Sequence, residues 1–173
     1  LRDILNYYGW EDTVTLTFVA GMLNNFAGDF EDRMDILGFM VDPENGGSWT
    51  STATLMMLSS DKFWSSNTWE ESVAALGYIF DANGGDWNSK AVLTFLANNG
   101  AWSSATWEQA MYGLGYLLNA NNGDWESNAV LTWLANDGAW NSGTFEDRMD
   151  LLNFFKDNDG WNTSALITFL AND

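Results

Sequence analysis

A segment of about 38 residues recurs along the chain, and this repeat constrains the fold more than any other feature. Each copy is anchored by a Trp, and the blocks around the anchors match in register, as in Ala-Val-Leu-Thr followed by Phe or Trp. The anchors are Trp10, Trp49, Trp87, Trp125 and Trp161. One hairpin of this length cannot bury its own apolar face, whereas stacked hairpins can. The repeat therefore predicts an array of similar units.

The repeat assigns all 173 residues to a single array. The predicted boundaries are half unit 1–9, units 10–48, 49–86, 87–124 and 125–160, and half unit 161–173. The first half unit matches the end of a unit and the last matches the beginning of one, so the two are complementary. Three interpretations stay open: a window of a longer array, chains joined head to tail in a filament, or ends that close a ring.

Each unit is predicted to contain two helices. In the third unit the first helix covers Ala91 to Ala97, with Ser89 as its N-cap and the following Asn-Asn-Gly as its stop. The second helix begins with a pair that resembles a capping box, in which two residues satisfy each other's backbone N–H groups. These pairs are Asp29 with Asp32, Thr68 with Glu71, Thr106 with Gln109, and Thr144 with Asp147.

The second helix carries apolar residues at spacings of three and four, which predicts one buried face. In the third unit these are Trp107, Ala110, Met111, Leu114, Leu117 and Leu118, and in the fourth they are Phe145, Met149, Leu152 and Phe155. We expect an all-α fold of tandem helical-hairpin repeats stacked as an α-solenoid or curved array. This layout resembles that of tetratricopeptide and HEAT arrays, although the sequence lacks the Trp-x-x-Leu-Gly pattern of the former.

Composition excludes several classes of function. The chain has no His and no Cys, so catalytic triads, zinc-thiolate sites and disulfides are absent from its chemistry. Only 6 Lys and Arg stand against 24 Asp and Glu, a net charge of −18 that disfavours nucleic acids and anionic membranes as partners. No apolar run approaches the length of a membrane span, and membrane insertion is not expected.

The Asp- and Asn-rich turns form one candidate site. Asp81 and Asn83 follow a second helix, and Asp157 and Asp159 occupy the corresponding turn of the fourth unit. Such oxygen ligands on a glycine-bent chain suit calcium, although the spacing is not that of an EF-hand. Helix termination explains the same residues, so calcium is a candidate ligand and no other cofactor is expected.

Aromatic and basic residues form the second set of candidates, as interface or ligand positions. Trp87, Trp102, Trp125, Trp140 and Trp161 are predicted to lie in turns before helices. Such residues either pack between adjacent units and hold them together, or stack on sugar rings. Arg33 and Arg148 occupy equivalent positions in an identical Phe-Glu-Asp-Arg-Met-Asp segment. Because carboxylates surround them in sequence, we expect ion pairs at a contact between units or subunits.

These observations favour a non-enzymatic structural repeat protein, extracellular or at the cell surface, that serves assembly or adhesion. Its expected partners are copies of itself or further repeats of the same chain, with head-to-tail filament formation as one outcome. The alternative is a glycan-binding module that uses the turn tryptophans. A fragment of a helical-toroid glycosidase is a third hypothesis, but no pair of carboxylates breaks the repeat as a catalytic pair would.

Overall fold

The protein is all-helical in its computed structural model, which describes residues 8–158 and 163–171. These residues form twelve α-helices and one short 3-10 turn, with no strand among them, which confirms the all-α part of the predicted fold class. The helices are α1 (Thr13–Asn25), α2 (Phe30–Val41), α3 (Thr52–Leu58), α4 (Asp61–Trp64), α5 (Trp69–Ala82), α6 (Lys90–Leu96), α7 (Asn99–Trp102), α8 (Trp107–Ala120), α9 (Asn128–Leu134), α10 (Asp137–Trp140), α11 (Phe145–Asn158) and α12 (Ser164–Leu170).

The second, third and fourth units each contain three helices, so the prediction of two per unit is wrong there. The Asn-Asn-Gly segment predicted as a stop begins a further helix, because the Asn98 side chain accepts a hydrogen bond of 2.8 Å from the Ala101 N–H. Asn136 caps α10 in the same way. In the first unit Gly21 takes this position, and α1 continues without a break to Asn25.

The predicted caps lie where the sequence indicated. The Ser89 hydroxyl accepts from the backbone N–H of Val92 at the start of α6. All four predicted capping pairs form reciprocal hydrogen bonds at the starts of α2, α5, α8 and α11. The long helices α5 and α8 end at turns with positive φ at Gly84, Gly85, Asn122 and Gly123, the conformation that terminates helices with least strain at glycine.

Helices at equivalent positions in successive units lie against one another. The first helices form one series, in which α1 contacts α3, α3 contacts α6, α6 contacts α9 and α9 contacts α12. The four-residue helices form a second series of contacts, from α4 to α7 and from α7 to α10. The long helices α2, α5, α8 and α11 each pack on the first helix of the following unit. Their buried apolar residues form one continuous core.

A buried Trp closes each of the four-residue helices α4, α7 and α10. Trp64, Trp102 and Trp140 are at most 1% exposed. Each indole N–H donates to the carbonyl oxygen seven residues earlier, at 2.9 Å to Met57, 3.2 Å to Phe95 and 3.0 Å to Trp133, respectively. The bond ties the short helix to the last turn of the helix before it, so the indole stays hydrogen-bonded inside the core.

These indoles belong to a series of aromatic contacts that crosses the units. Neighbouring ring centroids are 5.1 Å apart for Trp64 and Phe95, 4.9 Å for Trp102 and Trp133, and 5.4 Å for Trp140 and Phe169. In each of these pairs the planes are nearly perpendicular, at 81–83°. Edge-to-face packing of this kind adds about 0.5–1.5 kcal/mol per pair to the effect of burial. We call this series the aromatic column.

Buried asparagines add a directional contact between units. The Asn98 Nδ2 atom donates to the Leu58 carbonyl at 2.8 Å, and the Asn136 Nδ2 atom donates to the Leu96 carbonyl at 2.7 Å. Both bonds join residues 40 apart in sequence. One side chain therefore caps a helix with its oxygen and holds the preceding unit with its nitrogen.

We predict that Asn136→Ala lowers the free energy of unfolding by about 2–4 kcal/mol, because it removes a buried cap and leaves the Leu96 carbonyl without its donor. Urea denaturation followed by circular dichroism measures this loss. The matched control is Asn128→Ala, which removes the exposed 3.0 Å contact from Asn128 to Asn88 across the same junction. We expect its effect to stay below about 0.5 kcal/mol. Equal losses in both variants would contradict the assigned role of Asn136.

Candidate functional site

Two of the predicted interface tryptophans occupy positions other than those expected. Trp102 and Trp140 lie in the short helices α7 and α10 rather than in turns, and their side chains are 1% and 0% exposed. Inside the core they cannot present a ring face to a sugar. Trp87 and Trp125 do lie in turns, where each is half-buried, and Trp161 lies outside the described residues. The indole rings of Trp87 and Trp125 contact Phe80 and Phe155 at centroid distances of 4.2 Å and 5.1 Å.

The predicted calcium ligands are dispersed in the part of the chain that the structure describes. Asp81 and Asp157 are exposed near the ends of long helices. The Asn83 side-chain amide donates to the Ile79 carbonyl at 2.7 Å, which is a helix-terminating contact. Asp159 lies outside the described residues. Among residues 8–158 and 163–171, no group of three or more acidic side chains gathers as a metal ion would require. Calcium binding therefore stays a prediction.

Arg33 joins two units, but through neutral groups rather than the carboxylates we predicted. Its guanidinium is buried, donates to the Asn67 side-chain oxygen at 3.2 Å and to the Ser66 hydroxyl, and lies 5.9 Å from the centre of the Phe63 ring. Its Nε atom has no hydrogen-bond partner in the described structure. Arg148 instead donates to the Trp140 carbonyl of its own unit at 2.9 Å.

The residue that follows the anchor Trp makes a contact that the sequence pattern did not predict. The Glu11 carboxylate accepts from the backbone N–H and the hydroxyl of Thr52, at 2.8 Å and 2.5 Å, across the first junction. These hydrogen bonds lower the pKa of Glu11 below its usual value. Glu126 accepts from the Ser164 N–H at 3.0 Å in the same way. The recurrence of Glu directly after Trp10 and Trp125 was the available signal.

The first helix exposes apolar side chains that later units bury. Val14 and Phe18 of α1 are 48% and 42% exposed. The residues equivalent to Val14 are Ala53, Ala91, Ala129 and Ala165, and those equivalent to Phe18 are Met57, Phe95, Trp133 and Phe169. All eight are at most 4% exposed, because preceding helices cover them. We call the surface of Val14 and Phe18 the N-terminal end face.

The last described helices expose a second apolar surface. Ile167 and Leu170 of α12 are 57% and 56% exposed, and Phe145 of α11 is 78% exposed. The leucines equivalent to Leu170, namely Leu58, Leu96 and Leu134, are all 0% exposed. The prediction that Phe145 and Met149 lie on a buried stripe is wrong, because both side chains are exposed. The equivalents of Phe145, Trp69 and Trp107, are half-buried against aromatic rings of the following unit. We call the surface of Phe145, Ile167 and Leu170 the C-terminal end face.

A third apolar surface is a groove between the long helices α5 and α8. It encloses a cavity of about 240 Å³. Its lining contains no charged side chain and no side-chain amide: Trp69, Val73, Leu76, Gly77, Phe80, Trp87, Leu96, Trp102, Tyr112, Gly113, Tyr116, Leu117 and Trp133. The rings of Phe80, Trp87 and Tyr116 form one wall, with centroids 4.2 Å and 6.0 Å apart. We call this feature the aromatic groove.

Two small residues in the long helices help to shape this groove. A Cβ atom on Gly113 would lie 2.8 Å from the Trp133 ring and 3.3 Å from the Trp69 ring. The position equivalent to Gly113 in α11 is Leu151, and the position equivalent to Trp133 in the last half unit is the smaller Phe169. Gly77 lies on the opposite helix with open space around it. The sequence contains both glycines, but the role of Gly113 follows only from its close approach to the Trp133 ring, and that of Gly77 from the open space beside it.

No protein family model, curated protein or solved structure matches this chain significantly. Among the described helices, none has both the length and the apolar character needed to cross a bilayer.

We predict opposite effects for two neighbouring glycine substitutions in α8. Gly113→Ala should lower the free energy of unfolding by about 1–2 kcal/mol, because overpacking against Trp133 outweighs the gain in helix propensity. Gly115→Ala should raise it by about 0.5–1 kcal/mol, since a Cβ there meets nothing within 4 Å. Urea denaturation of both variants measures the difference. If Gly113→Ala were as stabilising as Gly115→Ala, the close approach of Trp133 to α8 would be contradicted.

Proposed function

We propose that this chain is a non-enzymatic structural repeat protein whose units stack as an α-solenoid and which assembles head to tail through the same junction that joins its units. One observation carries the proposal. The two end faces expose Val14, Phe18 and Leu170 at positions that are buried in the units between them, so each face can be covered by another copy or by further repeats of the same chain. In the proposed assembly the C-terminal end face of one copy receives the N-terminal end face of the next.

The contacts between units support a stacked arrangement. Hydrogen bonds join residues 38 to 41 apart at successive junctions, from Thr52 to Glu11, from Asn98 to Leu58, from Asn136 to Leu96 and from Ser164 to Glu126. Similar bonds at separations close to the length of one unit are expected when each unit repeats the placement of the one before it. The aromatic column crosses the same junctions.

The two end faces differ from each other, so the proposed contact is heterologous. A heterologous contact leaves one free face of each kind after every addition, and it produces a filament unless the rotation per copy closes a ring. A symmetric dimer would instead pair one face with itself. This difference allows the two modes of association to be distinguished with variants that each block a single face.

Charge sets the conditions under which such an assembly forms. Copies with a net charge of −18 repel one another at low ionic strength. Salt screens this repulsion, with a Debye length that falls from about 30 Å at 0.01 M to about 10 Å at 0.1 M. The apolar contact between end faces is not weakened by salt. Association should therefore increase with salt concentration.

An extracellular or cell-surface setting, with a role in assembly or adhesion, is part of this proposal. It is supported by the acidic composition and by the absence of His and Cys, two residue types that often act in catalytic sites. The burial of Trp102 and Trp140 removes two of the five tryptophans on which the glycan-binding alternative relied. We therefore favour assembly over glycan binding.

We predict that the chain forms larger particles as the concentration of sodium chloride is raised from about 0.01 M to 0.5 M. Leu170→Glu and Phe18→Glu should each prevent this growth, because each places a charge in one end face. Light scattering and sedimentation velocity measure particle size. The control is Tyr112→Glu, which alters a side chain that is 71% exposed on α8, away from both end faces.

An equimolar mixture of the two blocked variants gives the sharper result. The intact C-terminal end face of Phe18→Glu can pair with the intact N-terminal end face of Leu170→Glu, and growth must then stop at the dimer. Particle growth of either variant alone would contradict the proposed contact. Failure of the unmodified chain to associate at any salt concentration would contradict the assembly itself.

A further inference from the structure

We propose that the aromatic groove between α5 and α8 binds an organic cation with apolar substituents, of the kind represented by a trimethylammonium group. This function is separate from assembly, because the groove lies between long helices and includes no residue of either end face. The proposal rests on the chemistry of the groove wall, on the charge around it and on its difference from the other positions between long helices.

The groove offers ring surfaces in place of polar groups. Seven of its thirteen lining residues are aromatic, and five of these are half-buried or exposed, namely Trp69, Phe80, Trp87, Tyr112 and Tyr116. At one end the contact series Phe80, Trp87 and Tyr116 forms a wall, and at the other Trp69 lies 5.5 Å from Trp102 and 6.1 Å from Trp133. A sugar needs directional amide or carboxylate partners, which this lining lacks. A methylated ammonium needs none, because its methyl groups donate no strong hydrogen bond and its charge is attracted to ring faces.

The charge of the protein favours a cation over a neutral apolar ligand. Carboxylates outnumber basic side chains by 24 to 6. Two of them adjoin the groove in sequence, since Asp81 follows Phe80 and Asp86 precedes Trp87, and both are exposed. An apolar groove in such a surface concentrates cations near its opening, and the desolvated rings within it strengthen their attraction to the cation.

The chain already places one cation against an aromatic ring. The buried guanidinium of Arg33 lies 5.9 Å from the centre of Phe63, with only neutral oxygen atoms as its hydrogen-bond acceptors. The position equivalent to Arg33 in α5 is Ser72. Ser72 does not line the aromatic groove, and none of the thirteen lining residues is a Lys or an Arg, so the groove holds no cation of its own.

The other positions between long helices lack this combination. Between α8 and α11, Leu151 and Phe155 replace Gly113 and Leu117, and they add side-chain volume. Between α2 and α5, Val41 and Ala74 replace Phe80 and Tyr112, which removes two rings. The predicted site is thus confined to a single pair of helices, and one molecule of cation should bind per chain.

Isothermal titration calorimetry with choline and with its neutral isostere 3,3-dimethyl-1-butanol tests the proposal at low salt. The two probes have the same shape, so any difference in affinity reports the charge. We expect a stoichiometry of one and an affinity for choline about tenfold higher than for the isostere. Equal affinities, or tighter binding of the neutral probe, would overturn the proposal, and so would an absence of choline binding.

Two matched variants locate the site. Gly77→Leu adds a side chain to the groove at a position where a Cβ atom meets nothing within 4 Å, and we expect at least a tenfold loss of choline affinity. Gly115→Leu, at the equivalent open position of α8 outside the groove lining, should bind choline within about twofold of the unmodified chain. Thermal melts establish that both variants are folded. Equal affinities in the two variants would place the site elsewhere and overturn the assignment.

A trimethylammonium group occurs both on free small molecules and on a lipid headgroup. Cosedimentation with phosphatidylcholine vesicles, compared with phosphatidylglycerol vesicles, distinguishes these sources. The lipid headgroup is assigned as a ligand of the same groove if the chain binds phosphatidylcholine vesicles but not phosphatidylglycerol vesicles, and if Gly77→Leu abolishes this binding. Choline binding without cosedimentation assigns a free ammonium compound.

Discussion

Edge-to-face packing of buried aromatic rings is the interaction on which the rest of this structure depends. Each four-residue helix ends in a Trp whose indole N–H is bonded inside its own unit, while its ring contacts the next unit. The hydrogen bond holds the indole ring in one orientation, and an aromatic side chain of the next unit packs against that ring. The asparagine bonds to Leu58 and Leu96 then set the spacing along the chain. Helices of only seven residues are marginal alone and are stabilised here by these contacts.

Much of the fold was predictable because weak local patterns, such as capping pairs, recur at the same place in successive units. Capping pairs such as Thr106 with Gln109 recur at the start of each long helix, and all of them form. The four-residue helices of the third and fourth units were missed because an Asn shortly before a Gly is typical of a helix stop. Only the direction of the Asn98 side chain, toward the Ala101 N–H, shows that it begins a helix instead.

The candidate sites were less predictable, because they depend on what covers a residue rather than on the residue itself. Phe145 belongs to an apolar stripe by its spacing, yet it is 78% exposed, since its cover would come from a following unit. Arg33 is surrounded by acidic residues in sequence but reaches neutral partners in the next unit. The aromatic groove follows from Gly113 and Trp133 together, two positions 20 residues apart that no local pattern connects.

Removal of one complete unit tests most directly the claim that the units are interchangeable layers joined by the aromatic column. Deletion of residues 87–124 joins Asp86 to Trp125 in register, so that Trp133 takes the position of Phe95 and the residue equivalent to Gly113 becomes Ala75, which carries a Cβ atom. We predict that the deletion combined with Trp133→Phe folds cooperatively, with unchanged helical circular dichroism per residue, and melts at a higher temperature than the deletion alone. Loss of helical signal in the combined variant would contradict the account.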